Sequence, residues 1–202
     1  MKKVCVFFAE GTEECEALLP VDLLRRAGAE VTLAGIGDEL FVTSSHGVQV
    51  KMDALAKDLD FSAFDAIVLP GGMPGTTRLG ESALVAKAAH CAVENGKLLA
   101  AICAAPTVLA KLGLLSGKRA TAHHGFIDKL GDAVVVKEPV VEDGNLVTGW
   151  GLGASLPFSL RLVQRLYSAD EAARIAAARG YAFEYWKEDA TGCRAAPPPG
   201  SV

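Results

Sequence analysis

Short, continuous apolar runs alternate along this chain with stretches of helical spacing. Lys3–Phe8 is a run of β-branched and aromatic residues, the pattern of a strand buried on both faces. Gly11-Thr12 breaks it. Glu13–Ala27 then places Cys15, Leu18, Leu19 and Leu23 at helical spacing, with Thr12 as the expected N-cap and Gly28 as the stop. Glu30–Ala34 predicts a second strand. Leu40–Lys51 alternates weakly around Ser44-Ser45-His46-Gly47, which predicts a hairpin. Asp65–Pro70 is another buried strand, followed by Gly71-Gly72. Ser82–Glu94 predicts a helix that ends at Asn95-Gly96, Lys97–Ile102 a strand, and Ala105–Leu112 a helix. Val134–Val136, Val140–Glu142 and Leu146–Thr148 read as short strands, the last two joined at Asp143-Gly144. Leu156–Tyr167 and Ala169–Arg179 close the series as helices.

Strands alternating with helices of roughly 10–15 residues predict βαβ units. The expected class is α/β, a mostly parallel sheet with helices on both faces. No internal repeat is present. Residues 1–186 are expected to form a single domain. Residues 187–202, which carry Pro197-Pro198-Pro199-Gly200-Ser201, are expected to be a mobile tail without chemistry of their own.

Composition narrows the function classes. Of 202 residues, 50% are apolar and 22% charged, enough for a sizeable core and too apolar for wholesale disorder. A net charge of −4 with no Lys/Arg run argues against nucleic acid as a partner. The N-terminus starts like a signal peptide, but Glu10 ends its apolar stretch after about six residues. No run approaches the roughly 18 apolar residues of a membrane span. The expectation is a soluble, cytoplasmic protein without a membrane partner. Five cysteines (Cys5, Cys15, Cys91, Cys103, Cys193) are an odd number, in no metal-ligand spacing. They read as reduced thiols, most of them structural. Cys15 reads as a packing residue of the first helix.

In an open α/β sheet, ligands collect at the carboxyl ends of the strands. Three such ends carry chemistry here. In Lys97-Leu98-Leu99-Ala100-Ala101-Ile102-Cys103-Ala104-Ala105-Pro106, a buried strand runs straight into Cys103 and a helix starts just after it. The positive end of that helix favours thiolate over thiol, and the backbone N–H groups that follow can hold an oxyanion. A buried cysteine that merely packs is the bland alternative. The second end crowds Glu10, Glu13, Glu14 and Glu16 around the first turn. Glu13 and Glu14 are ordinary complements to a helix dipole. Glu16, if it points back to the sheet, is a carboxyl of raised pKa able to exchange a proton with a thiolate. The third end is Leu69-Pro70-Gly71-Gly72, whose glycines allow close backbone approach and free N–H groups. His123 and His124 follow a strand-like segment and are candidates for a base beside the cysteine.

Together these residues resemble the ThiJ/PfpI superfamily, in the branch of the human parkinsonism-associated protein deglycase. The likeness runs from about Lys2 to Ser168. It is carried by Glu13-Glu14-Cys15-Glu16, Pro20-Val21-Asp22, Arg25-Arg26-Ala27-Gly28, Leu69-Pro70-Gly71-Gly72 and Ala100-Ala101-Ile102-Cys103-Ala104-Ala105-Pro106-Thr107. The resemblance implies a flavodoxin-like three-layer sandwich, a homodimer, and no cofactor or metal. It implies Cys103 as nucleophile, Glu16 as its partner carboxyl, Gly72 and Ala104 as backbone donors at the sulfur, and His123 close to the cysteine. One stretch departs: Trp150-Gly151-Leu152-Gly153 stands where that branch often has Arg-Gly-Pro-Gly, which predicts a bulkier, more apolar pocket wall.

The activity so implied is that of a glutathione-independent glyoxalase or deglycase, acting on α-oxoaldehydes such as methylglyoxal or on early glycation adducts. An oxidative-stress sensor working through reversible oxidation of Cys103 uses the same residues. An amidotransferase would want glycines flanking the cysteine and a late His-x-Glu pair, and a peptidase of the superfamily a histidine in place of Ala104. Neither pattern is present.

Overall fold

The computed structural model describes residues 1–181, so the predicted tail and the last residues of the predicted domain lie outside the described residues. Eleven strands and six helices alternate within the described residues. The strands are β1 (Lys3–Phe8), β2 (Glu30–Gly35), β3 (Phe41–Thr43), β4 (Gln49–Lys51), β5 (Ala54–Leu55), β6 (Ala66–Leu69), β7 (Leu98–Ile102), β8 (Arg119–Ala120), β9 (Val134–Val135), β10 (Val140–Asp143) and β11 (Leu146–Gly149). The helices are α1 (Glu14–Arg26), α2 (Gly75–Glu81), α3 (Ala83–Glu94), α4 (Pro106–Lys111), α5 (Ser155–Leu166) and α6 (Ala169–Ala178).

Seven strands form the central sheet in the order β10-β11-β7-β6-β1-β2-β5. All neighbours are parallel except β10 and β11, which turn back on each other as predicted. The predicted hairpin is present as β3 and β4. The predicted strand at Val134–Val136 does not join the main sheet. It pairs as β9 with β8, a two-residue strand too short to show a period.

Successive residues of a strand face opposite sides, and here each side has its own core. Val4, Val6 and Phe8 of β1 pack with Ala17, Val21 and Leu24 of α1 and with Phe158 and Leu162 of α5. Cys5 and Phe7 pack with Val85 and Ala89 of α3 and Leu109 of α4. Because both faces are covered, the strands read as unbroken apolar runs rather than alternating ones. The result is the three-layer, flavodoxin-like sandwich.

Two expectations for α1 are corrected. Its N-cap is Glu13, whose carboxylate accepts from the Cys15 N–H, while the Thr12 hydroxyl turns back to accept from the Ala9 N–H at 3.0 Å. Cys15 does not pack: it is exposed. The buried stripe of α1 runs through Glu16, Ala17, Pro20, Val21, Leu23 and Leu24, which leaves Cys15 on the outer side. The sequence also gave no sign of α2. Gly75-Thr76-Thr77-Arg78-Leu79-Gly80-Glu81 has two glycines, two β-branched residues and one large apolar side chain, so neither propensity nor period marks it.

Phe158 is 0% exposed and fills the side of the sheet beneath the end of β11. Phe158→Ala is expected to cost about 3–5 kcal/mol, read as a lowered urea midpoint with an unchanged slope. A loss within about 1 kcal/mol would show that this layer of the core repacks freely.

Candidate active site

Four neighbouring parallel strands, β11, β7, β6 and β1, end on one edge of the sheet, and the segments that follow them build one cavity. Its volume is about 740 Å³. Glu16 comes from the first turn of α1, Gly72 from the turn after β6, Cys103 from the turn after β7, and Trp150 and Gly151 from the turn after β11. His123 and Thr121 line the same space.

Backbone hydrogen bonds hold these turns in register. The Glu13 N–H donates to the Gly71 carbonyl at 3.0 Å and the Gly75 N–H to the Gly11 carbonyl at 3.1 Å, which ties the turn after β1 to the turn after β6. The Cys103 N–H donates to the Gly149 carbonyl at 2.8 Å, and the Cys103 carbonyl accepts from the His123 N–H at 2.9 Å. Cys103 is therefore gripped on both backbone groups. It is also the one non-glycine residue with positive φ among the described residues, at 65°. That conformation costs roughly 1–2 kcal/mol for a residue with a Cβ. It is a strained strand-to-helix turn that presents the thiol to the cavity.

Glu16 is 1% exposed, yet its carboxyl faces inward and accepts from the Gly71 N–H at 3.0 Å. It is hydrogen-bonded to Cys103, and the N–H groups of Gly72 and Ala104 are hydrogen-bonded to the same sulfur. The glycines make this approach possible. A Cβ on Gly71 would sit 2.6 Å from the Cys103 Cβ and 2.6 Å from Glu16 Oε2. A Cβ on Gly72 would sit 2.2 Å from the Glu13 nitrogen, and its φ of 90° already excludes most side chains.

Burial pushes the Glu16 carboxyl up to about 7, against an ordinary value of 4.5. The Cys103 thiol is pushed up to about 12, first by burial and then by the charge of the Glu16 carboxylate. This reverses the expectation that the helix end would by itself favour thiolate. Burial of the sulfur, and after it the adjacent carboxylate, outweigh the Ala104 and Gly72 N–H groups that favour the thiolate. The pair titrates as a unit. With Glu16 protonated, its repulsion is gone, and its O–H together with the Gly72 and Ala104 N–H groups can hold a thiolate.

His123 is half-buried, and burial and the neighbouring His124 hold its pKa below the ordinary histidine value. Its ring stacks at 4.0 Å on that of His124. Its Nδ1 lies 3.2 Å from the Gly125 N–H and accepts from it, so the proton of the neutral ring sits on Nε2. His123 faces the cavity as a donor rather than as a base.

All five residues expected at the site, Cys103, Glu16, His123, Gly72 and Ala104, are brought together. Sequence reasoning missed Gly71 as the donor to Glu16, and missed Thr121 and Lys137 on the cavity wall. The Gly-Gly pair was a signal for the first. Nothing in the sequence marks the other two.

A flavodoxin-like sheet bearing a strained cysteine at a strand end, hydrogen-bonded to a buried carboxyl, defines a class of α/β proteins with a thiol–carboxyl pair at the carboxyl ends of the strands. Residues 2–165 match the DJ-1/PfpI family, and the chain belongs to it. It is 39% identical over 176 residues to Protein DJ-1 homolog B of Arabidopsis thaliana, covering 86% of this chain but only 40% of that longer protein. It is 34% identical over 159 residues to the glutathione-independent glyoxalase DJR-1.2 of Caenorhabditis elegans, covering 78% of this chain and 84% of the relative. The structure of oxidized Toxoplasma gondii DJ-1 superposes with a TM-score of 0.87 at 39% identity, over 90% of this chain and all of that one. No helix among the described residues is long and apolar enough to cross a membrane.

The raised Glu16 carboxyl has a stability consequence. Between about pH 4.5 and about pH 7 the unfolded chain has released this proton while the folded chain keeps it. The Glu16 contribution to stability therefore falls as pH rises through that window, by on the order of 3 kcal/mol, and is constant above it. Glu16→Gln removes this slope. In urea titrations at about pH 5 and about pH 8, the variant should gain on the parent at the higher pH. Parallel pH curves would mean that Glu16 is not held protonated in the folded state.

Proposed function

We propose that this protein is a cofactor-free enzyme that converts α-oxoaldehydes such as methylglyoxal to 2-hydroxy acids, with Cys103 as nucleophile. The observation that carries the reading is the Glu16–Cys103 hydrogen bond at the cavity, which sets a carboxyl of raised pKa against the thiol. The likeness to a relative named as a glutathione-independent glyoxalase supports it.

The Cys103 thiolate adds to the aldehyde carbon, and the new alkoxide takes the proton of Glu16. The Glu16 carboxylate then removes the hydrogen on that carbon as a proton, and the electron pair moves onto the neighbouring carbonyl oxygen to give an enediolate. Returning the proton to the neighbouring carbon leaves a thioester on Cys103. The aldehyde carbon has been oxidised and its neighbour reduced, so no external electron acceptor is needed. Water hydrolyses the thioester, its second proton returning to the Glu16 carboxylate, and the 2-hydroxy acid and the thiolate are released. Gly72 and Ala104 N–H groups hold the oxyanions, and His123 Nε2–H orients the second carbonyl. Displacement by the Cys103 thiolate of the thiol or amine from a hemithioacetal or aminocarbinol, the leaving group taking the Glu16 proton, would release early glycation adducts. The homodimer belongs to the same proposal and is read by light scattering.

One observation favours a second reading. A protonated Glu16 beside the sulfur is also the donor that would hold a sulfinate after oxidation, and the superposed Toxoplasma gondii relative is described as oxidized. Cys103 would then report peroxide rather than turn over aldehyde.

The deciding experiment follows methylglyoxal loss and lactate formation without glutathione. The parent should complete many turnovers. Cys103→Ala should abolish them, and Glu16→Gln should lower kcat by about a hundredfold or more. A parent that consumes at most one equivalent, while mild peroxide adds two oxygens to Cys103 by mass spectrometry, would replace the enzyme with the sensor.

A further inference from the structure

The cavity over Cys103 is much larger than a small aldehyde requires. Its volume of about 740 Å³ lies within the roughly 300–1,000 Å³ of sites that enclose drug-sized molecules. A three-carbon oxoaldehyde on the sulfur would leave most of it to water. The surplus space has an apolar wall. Gly151, whose Cβ position is 3.8 Å from Cys103 Sγ, is flanked by Trp150 and Leu152. Both line the cavity, and they are 41% and 54% exposed. Ala122 and Ile127 add to the same lining. Large apolar side chains left half open beside a reactive group gain further from a ligand that covers them. Thr121 is fully buried, and its hydroxyl has no hydrogen-bond partner among the described residues.

We propose that the oxoaldehyde this site takes carries a large apolar group, an aromatic ring by preference, that lies on Trp150 and Leu152 while its dicarbonyl end reaches Cys103. The inference rests on the α-oxoaldehyde reading and names its substrate class. The chemistry is unchanged: an arylglyoxal gains one water, its aldehyde carbon is oxidised, its ketone carbon is reduced, and the product is an aryl 2-hydroxy acid. The ring stays on the indole throughout, so its contacts act on binding in every state.

The test compares kcat/KM for phenylglyoxal and methylglyoxal in the parent, Trp150→Ala, Trp150→Phe and Leu152→Ala. Calorimetry on the same proteins compares the two products, mandelate and lactate. The ratio of phenylglyoxal to methylglyoxal efficiency should fall by about tenfold in Trp150→Ala, fall less in Leu152→Ala, and be kept by Trp150→Phe. Mandelate should bind the parent about tenfold more tightly than lactate, and Trp150→Ala should erase the difference. If both aldehydes turn over and Trp150→Ala leaves their ratio unchanged, this inference fails while the oxoaldehyde reading stands. If neither turns over, that reading fails, and the binding comparison alone decides the pocket: equal affinities overturn the aromatic subsite. A change of assembly mass in Trp150→Ala with the ligand ratios unmoved would assign the indole to a subunit contact and likewise overturn it.

Discussion

The hydrogen bond between a buried carboxyl and a half-buried thiol, Glu16 to Cys103, constrains everything around it. Either group would be costly to ionise alone, and two charges at this distance would be costlier still. Between about pH 4.5 and about pH 7 the pair therefore carries one proton more than two such groups would in water. This arrangement requires close approach, and close approach explains the glycines. Gly71 sits where any Cβ would strike both partners, and Gly72 where it would strike the turn before α1. It also explains why Cys103 accepts a left-handed backbone. The strain is held by bonds to Gly149 and His123 on either side of the residue, within a sheet end that has little room to relax.

The sheet order makes that meeting possible. The chain runs from β1 out to β2 and β5, then returns to place β6 and β7 on the other side of β1. The crevice at such a reversal is where open α/β sheets hold their ligands. Here it opens between the start of α1 and the turn after β6, which the Glu13–Gly71 and Gly75–Gly11 bonds fasten to each other. Helix α2 is part of that fastening. Gly75 lies so close to Thr12 that a side chain there would meet the Thr12 nitrogen at 2.5 Å.

This contrast separates what the sequence made legible from what it did not. Continuous apolar runs such as Val4-Cys5-Val6-Phe7-Phe8 announce a strand covered on both faces, because each successive residue meets a separate core. Cys103 and Glu16 were legible because strand ends in this architecture carry chemistry, and because their surrounding residues resemble a known family. Features fixed by contacts between distant segments were not. Helix α2 exists because it docks on the turn before α1, against its own propensity. The capping role passes from Thr12 to Glu13 because the Thr12 hydroxyl is claimed by Ala9. Cys15 turned outward because the buried stripe of α1 is set by Glu16 and Val21 rather than by Leu18 and Leu19.

The sign of the cysteine shift is the most instructive of these differences. Spacing alone assigns thiolate stabilisation to the helix that follows Cys103. In the folded chain that helix is Pro106–Lys111, and its weak field competes with burial and with an adjacent carboxylate. Thiolate character is therefore not a standing property of the sulfur. It depends on where the shared proton lies. With Glu16 ionised, the sulfur keeps its proton; with Glu16 neutral, the same carboxyl becomes a donor and joins Gly72 and Ala104 in holding a negative sulfur. In the proposed reaction that dependence is useful at each step. The proton that allows the thiolate to exist is the one the alkoxide needs after addition. The carboxylate left behind is the base needed next, at a moment when the sulfur is already bonded to carbon and no longer bears the charge that would have opposed it.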